Sequence, residues 1–305
     1  MLKLPEQVKV VEVGPRDGLQ NETATVDTAV KIELINRLSA SGLAVIEATS
    51  FVSPLWIPQL ADAEQVWAGI EQRQSVAYPV LVPNLRGLER ALASGVKQIA
   101  VFTAASETFC RNNINCSIDE SLARYAPVIR QAREAGMAVR AYISCVLGCP
   151  YEGDVDVKRV VDLSRHFIEA GCYEISLGDT IGAGSALQAR ELVSRVAKQV
   201  PVRRLALHFH DTRGQALANI LACLELGVSV VDAAVAGLGG CPYARGATGN
   251  LATEDLVYML HGLGIRTGID IHKLIDSGRF ISQALSRENR SKVSLAGVSE
   301  YGAVA

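Results

Sequence analysis

Short, nearly continuous apolar runs recur along this chain, at 8–13, 43–50, 76–82, 98–104, 138–146, 172–178, 204–210 and 230–236. Their length and β-branched content predict strands buried on both faces. Between them the apolar positions change to helical spacing. Val30, Leu34, Ile35 and Leu38 do so within 26–41, and 118–135 and 155–170 behave alike. Five helix-like stretches end on a glycine directly before an apolar run, at Gly42, Gly95, Gly136, Gly171 and Gly227. Glycine just past a helix end takes the left-handed conformation that other residues resist. Strands alternating with helices predict a parallel sheet, and eight such units in 305 residues fit a (β/α)8 TIM barrel. The competing doubly wound sheet would carry Gly-x-Gly-x-x-Gly at its first strand-to-helix joint. Gly14, Pro15, Arg16, Asp17 and Gly18 stand there instead. No linker divides the core. The chain is therefore read as one barrel domain over 1–305, with about 268–305 a C-terminal helical extension that loosens after Ser291.

Composition narrows the picture. Hydrophobic residues make up 49% and aromatics only 5%, so small aliphatics carry the core, as buried parallel strands require. The formal charge of −2 is spread along the chain, with no basic block for a nucleic acid and no arginine-rich helix for a membrane surface. No apolar run approaches a transmembrane span of about 20 residues. The first nine residues carry no signal-peptide core, which predicts a cytosolic location. Seven cysteines with no Cys-x-x-Cys pair are expected to be free thiols. Cys241 differs from the rest, because it sits in a glycine-rich loop where packing does not ask for it.

The polar residues that interrupt the apolar pattern point to chemistry. His208 and His210 lie two apart in a predicted strand, so their imidazoles project side by side and can hold one cation. A pair of buried, hydrogen-bonded histidines is the plainer alternative. Asp17 and Asn250 also fall just after predicted strands, and barrel enzymes gather their chemistry at that end. Together the four offer two oxygens and two nitrogens. That set suits Mg²⁺ or Mn²⁺ better than zinc. Arg16 after the first strand, Glu47 inside the second and Asp179 after the sixth fall on the same face. Singly, each has a plain structural reading: Asp17 in a turn, Glu47 as partner of Arg16, Asp179 and Asn250 as helix caps. Independent caps need not all land on one face. The loop 237–250 holds five glycines, as a mobile segment or one pressed against a ligand would.

These stretches, 11–22, 208–212 and 237–250, with 50–54, 104–107, 143–151 and 176–180, resemble the 3-hydroxy-3-methylglutaryl-CoA lyases over about residues 6–290. The resemblance implies a metal-dependent barrel that cleaves 3-hydroxy-3-methylglutaryl-CoA to acetyl-CoA and acetoacetate. It assigns Asp17, His208, His210 and Asn250 to a divalent cation, Mg²⁺ or Mn²⁺. It implies that Arg16 polarises the thioester carbonyl and that Glu47 holds Arg16. Cys241 would be the catalytic thiol on a lid, and Asp179 an acid–base or positioning group. Gln20 and Ser50 would line the substrate pocket. The first proton acceptor stays open between Asp179, a histidine outside the ligand set and a hydroxide at the metal. An acyl-CoA substrate and a homodimer are the expected partners, with neither nucleic acid nor membrane.

Three positions depart from the family pattern. Arg213 stands where Tyr is usual, and Thr23 and Leu55 stand where Lys is common. The ligands and the thiol are untouched. An added cation at Arg213 could bind a substrate carboxylate held at another distance. That keeps open a related lyase acting on citramalyl-CoA or a longer-branched 3-hydroxyglutaryl-CoA. A condensing synthase or pyruvate-type aldolase shares the Arg-Asp-Gly and His-x-His motifs, but Cys241 is not expected there. A non-catalytic metal-binding barrel predicts a broken ligand set, and the set is intact.

Overall fold

Nine short parallel strands form one sheet whose two ends are the same stretch of chain. The structure, a computed structural model, describes residues 3–240 and 249–297. The strands are β1 (Lys9–Glu12), β2 (Val45–Ile46), β3 (Thr49–Ser50), β4 (Val80–Leu81), β5 (Gln98–Ala104), β6 (Ala138–Ser144), β7 (Glu174–Asp179), β8 (Leu205–Phe209) and β9 (Val230–Ala233). Their order is β2-β1-β9-β8-β7-β6-β5-β4-β3. β2 and β3 are halves of one segment. Its residue Glu47 donates its N–H to Glu12 O on one side (2.8 Å), and Ala48 donates to Pro79 O on the other (3.0 Å). The sheet therefore closes into a barrel of eight staves, as the alternation of apolar runs predicts. The third stave is shorter than its apolar run because Pro79 and Pro83 supply no N–H to the ladder.

The helices between the staves are α1 (Thr28–Ala40), α2 (Ala63–Gly69), α3 (Leu85–Ala93), α4 (Glu107–Ile114), α5 (Ile118–Glu134), α6 (Val157–Ala170), α7 (Ala186–Val196), α8 (Ala216–Leu224) and α9 (Thr253–Gly262). Their starts are chemically specified. Ser117 with Glu120, and Ser185 with Gln188, make reciprocal capping boxes on α5 and α7. The five joint glycines all have positive φ. At Gly42 the need is also spatial, because a Cβ there would come within 2.2 Å of Gly268 O.

After α9 the chain adds α10 (Ile271–Ala284), which packs between α9 and α1 and completes the ring of helices. Beyond Ser291, where loosening was expected, the chain forms α11 (Lys292–Ala296). The buried Asp255 explains it. Asp255 accepts from Ser291 Oγ (2.7 Å), Lys292 N (3.2 Å) and Val293 N (2.9 Å), while Ser291 Oγ accepts from Ser294 N (3.0 Å). No helix among the described residues is long and apolar enough to cross a membrane.

Candidate metal centre and active site

The chain leaves β1 through a single wide turn, Gly14–Gly18, in which Gly18 N reaches back to Val13 O (3.1 Å). Such i-to-i+5 turns are rare and favour functional sites. This one starts with Gly14 N donating to Glu12 Oε1 (2.8 Å), and it aims Arg16 and Asp17 at the mouth of the barrel. Arg16 Nε donates to Glu47 Oε2 (2.7 Å) and Nη1 to Asp17 Oδ1 (2.7 Å). Two carboxylates thereby hold the guanidinium. The Arg16 Cζ lies 5.4 Å from the centre of the Tyr142 ring, whose hydroxyl donates to Glu47 Oε2 (3.2 Å). Glu47 is thus both the partner of Arg16 and a residue of the site face.

β8 delivers the histidines. Their ring centres are 5.5 Å apart. Asp17, His208 and His210 each offer a ligand atom, all within 4.8 Å of one another. His208 Nε2 is 3.8 Å from Asp17 Oδ2, and His210 Nδ1 is buried with no hydrogen-bond partner. Asn250 joins them because 249–251 folds back along β8: Asp211 N donates to Gly249 O (3.1 Å) and His210 bridges to Asn250. Its Nδ2 donates to Asp17 Oδ2 (2.8 Å) and Leu238 O (3.2 Å). Asn250 does not cap α9, whose first turn has no side-chain cap.

The site is polarised. Burial alone would raise the Asp17 pKa, yet Arg16, His208 and His210 outweigh it and bring it down to about 2. Burial and the neighbouring His208 lower His210 to about 4, so its lone pair is available to a cation at neutral pH. Burial likewise opposes charge on Arg16, but Glu47 and Asp17 hold its pKa above the ordinary arginine value. Asp17, fixed as an anion beside a neutral His210 ring whose Nδ1 has no partner, fits a divalent cation.

The other expected site residues that the structure describes have different surroundings. Asp179 ends β7 fully buried. Its Oδ1 accepts from Ala183 N (3.0 Å) and its Oδ2 from Gly184 N (2.9 Å). It does not cap α7, which Ser185 caps. Burial raises its pKa against those bonds. Arg213 lies at the rim, with Nη1 donating to Ile181 O (2.8 Å) and Gly182 O (3.0 Å) in the same loop. Ser50 is buried with its hydroxyl on Leu81 O (3.3 Å), and Gln20 is half-buried just beyond the first turn. Cys241 lies outside the described residues. The six other cysteines are buried and form no disulfides, as expected of thiols that serve as small hydrophobes.

Sequence reading missed the charges inside the barrel. Arg140, Tyr142, Glu174 and Asp232 interrupt apolar strands, and Arg140 with Tyr142 shows i, i+2 spacing. That interruption is the one signal that marks them.

Comparison with known proteins agrees with this geometry. The HMGL-like family pattern matches residues 7–281. The hydroxymethylglutaryl-CoA lyase of Gallus gallus, named mitochondrial, is 61% identical over 292 residues, covering 96% of this chain and 98% of its own. A crystal structure of hydroxymethylglutaryl-CoA lyase from Pseudomonas aeruginosa superposes with a TM-score of 0.94 at 57% identity, covering 96% of this chain and 98% of that one. An HMG-CoA lyase from Acinetobacter baumannii, solved with coenzyme A and 3-methylmalate, gives 0.93 at 39% identity and covers 97% of both chains.

The expected cytosolic location is overturned. The chicken, bovine and human relatives are all named mitochondrial, and one rat relative cytoplasmic. Charge and hydropathy do not separate these cases, because both kinds of enzyme meet the same aqueous solvent.

Proposed function

The chain belongs to the HMGL-like family, and from that membership we infer a carbon–carbon lyase that cleaves 3-hydroxy-3-methylglutaryl-CoA to acetyl-CoA and acetoacetate. The observation that carries this reading is the meeting of Arg16, Asp17, His208 and His210 at one mouth of the barrel. The alternative substrates, citramalyl-CoA and longer-branched analogues, are not favoured at this level of identity to hydroxymethylglutaryl-CoA lyases.

The reaction is a retro-Claisen cleavage. The C3 hydroxyl gives its proton to a base of the site as the C2–C3 bond breaks. C3 becomes the ketone of acetoacetate, and the bonding pair enters the thioester as an enolate. Protonation of that enolate carbon gives acetyl-CoA. A divalent cation is the cofactor the family implies, with Asp17, His208, His210 and Asn250 its holders. Mg²⁺ or Mn²⁺ suits the mixed oxygen and imidazole donors. When bound, it supplies Lewis-acid polarisation of the substrate's oxygens.

Arg16 meets the oxyanion that develops on the thioester. It is always cationic, and Glu47 and Asp17 fix its orientation before substrate arrives, so little reorganisation is left for the reaction. Glu47, itself braced by Tyr142, is a positioning residue for Arg16. For Asp179 we favour the positioning role, because both its oxygens already hold the backbone of their own loop. Arg213 braces that loop from outside, and a substrate contact would fall to its remaining nitrogens. Cys241, on the glycine-rich loop, is proposed as the donor to the enolate carbon. Gln20 and Ser50 are proposed to line the acyl pocket. A homodimer is proposed for the assembly, and sedimentation as a monomer would contradict it.

The substrate reading is tested by acetyl-CoA release with Mg²⁺ from 3-hydroxy-3-methylglutaryl-CoA and citramalyl-CoA in parallel. Preference for the former is expected. Preference for the latter would overturn the substrate and single out Arg213 as the first residue to replace.

A further inference from the structure

Beneath the proposed cation site, a second set of charges fills the barrel interior. Arg140 on β6 is fully buried, and its guanidinium is spoken for on every side. Nε donates to Glu174 Oε1 (2.8 Å), Nη1 to Tyr142 Oη (2.8 Å) and Asp232 Oδ2 (3.1 Å), and Nη2 to Asp232 Oδ1 (2.6 Å). β6 and β9 are not neighbours in the sheet, so the pairing of Arg140 with Asp232 crosses the lumen. Asp232 Oδ2 also accepts from Ser176 Oγ (2.7 Å) and lies 3.2 Å from His208 Nδ1.

The sense of that last contact follows from the others. Both Asp232 oxygens take hydrogens from the permanently charged Arg140 guanidinium, a pairing that holds the carboxyl as an anion. An ionised carboxylate has no proton to give. His208 Nδ1 must therefore donate, and in the neutral ring this leaves the Nε2 lone pair on the side of Asp17, at 3.8 Å. His210 has no such partner. A neutral imidazole released from Asp232 could place its proton on either nitrogen, and a proton on Nε2 would block a cation there.

We propose that Asp232 is a positioning residue for the cation site: it accepts the Nδ1 proton of His208 and so keeps Nε2 open toward Asp17, while Arg140 clamps Asp232 in place. The proposal rests on the reading of Asp17, His208 and His210 as that site. Carboxylate partners of ligating imidazoles typically matter about 10- to 100-fold in metal affinity. A purely structural buried ion pair would instead brace the lumen and leave the His208 tautomer unchanged.

The test joins two measurements. In ¹⁵N-histidine-labelled, metal-free protein at pH 9, His208 is assigned by the loss of its signals in His208→Ala. The proton is expected on Nδ1 in the unsubstituted protein. A proton on Nε2 there would overturn the proposal whatever any variant does. Mn²⁺ affinity is then measured by titration for the unsubstituted chain, Asp232→Asn and Ser176→Ala. Asp232→Asn is expected to bind about 10- to 100-fold more weakly with a mixed His208 tautomer. Ser176→Ala, which removes one bond to Asp232 and leaves Arg140 paired, is expected to lose affinity by a smaller factor and carries the affinity test should Asp232→Asn not fold. Unchanged tautomer and affinity in the folded variants would defeat the proposal alone. Failure of the unsubstituted chain to bind Mn²⁺ would defeat the cation site itself.

Discussion

Arg16 shows how little freedom a single residue retains here. Its Nε is committed to Glu47 and its Nη1 to Asp17, and Tyr142 lies beside its guanidinium. A lysine has one charged nitrogen and cannot reproduce that fork. Arg16→Lys is expected to lower kcat by about 10²- to 10³-fold, the usual loss for an oxyanion donor. Mn²⁺ affinity should stay within a few-fold. A kcat near that of the unsubstituted enzyme would remove Arg16 from the oxyanion role. His210→Ala should do the reverse and lose Mn²⁺, and tight binding retained in titration would refute its place among the ligands. Cys241→Ala should cut turnover strongly and leave Mn²⁺ binding almost intact. Unchanged turnover would sink the thiol proposal.

At the scale of elements, two buried carboxylates hold together the loops that build the site. Glu12, at the end of β1, accepts from Gly14 N, Val235 N (2.9 Å) and Thr253 Oγ1 (2.7 Å). It thereby ties the turn carrying Arg16 and Asp17 to the chain leaving β9. Glu254, at the start of α9, accepts from Ala236 N through both oxygens (3.0 Å each). Ala236 is held in the left-handed region, at φ 56°. Burial outweighs these bonds and raises Glu12 from 4.5 to about 7 and Glu254 from 4.5 to about 8. The folded state therefore keeps protons that the unfolded state releases. The contribution of these groups is fully present below about 4.5 and is lost as pH rises through 7 and 8. Glu254→Gln removes one of them, so its urea midpoint should decline less steeply than that of the unsubstituted chain between pH 5 and 9. Parallel declines would contradict the assignment. A second element is the loop after Asp179. Gly182 has φ +57°, and a Cβ there would come within 2.7 Å of His210 O. Gly182→Ala is expected to cost about 1–3 kcal/mol in chemical denaturation. A neutral result would show that the loop yields without disturbing β8.

Across the whole molecule, the barrel was legible because its staves are apolar runs buried on both faces and five of the helix-to-strand joints are marked by glycine. The site was legible wherever a polar residue falls at or just past a strand's end: Asp179, His208 and His210 do so, and Asp17 lies in the turn that follows β1. The interior charges were not legible as a network. Arg140 and Asp232 are 92 positions apart on strands that do not pair, and only closure of the barrel brings them together. The wide turn at Gly14–Gly18 escaped notice for a related reason, since the acceptor that starts it is a buried glutamate. Location was not legible at all, because relatives named for different compartments are similarly close to this chain, at 61% and 57% identity.

The central claim is a cation-dependent cleavage at the mouth of this barrel. Its most direct test is the stoichiometry of products from 3-hydroxy-3-methylglutaryl-CoA, using enzyme stripped with EDTA and the same enzyme restored with Mg²⁺ or Mn²⁺. Equal amounts of acetyl-CoA and acetoacetate are expected from the restored enzyme, and almost none from the stripped one. Cleavage that persists after complete removal of the metal, or thioester loss without acetoacetate, would contradict the account.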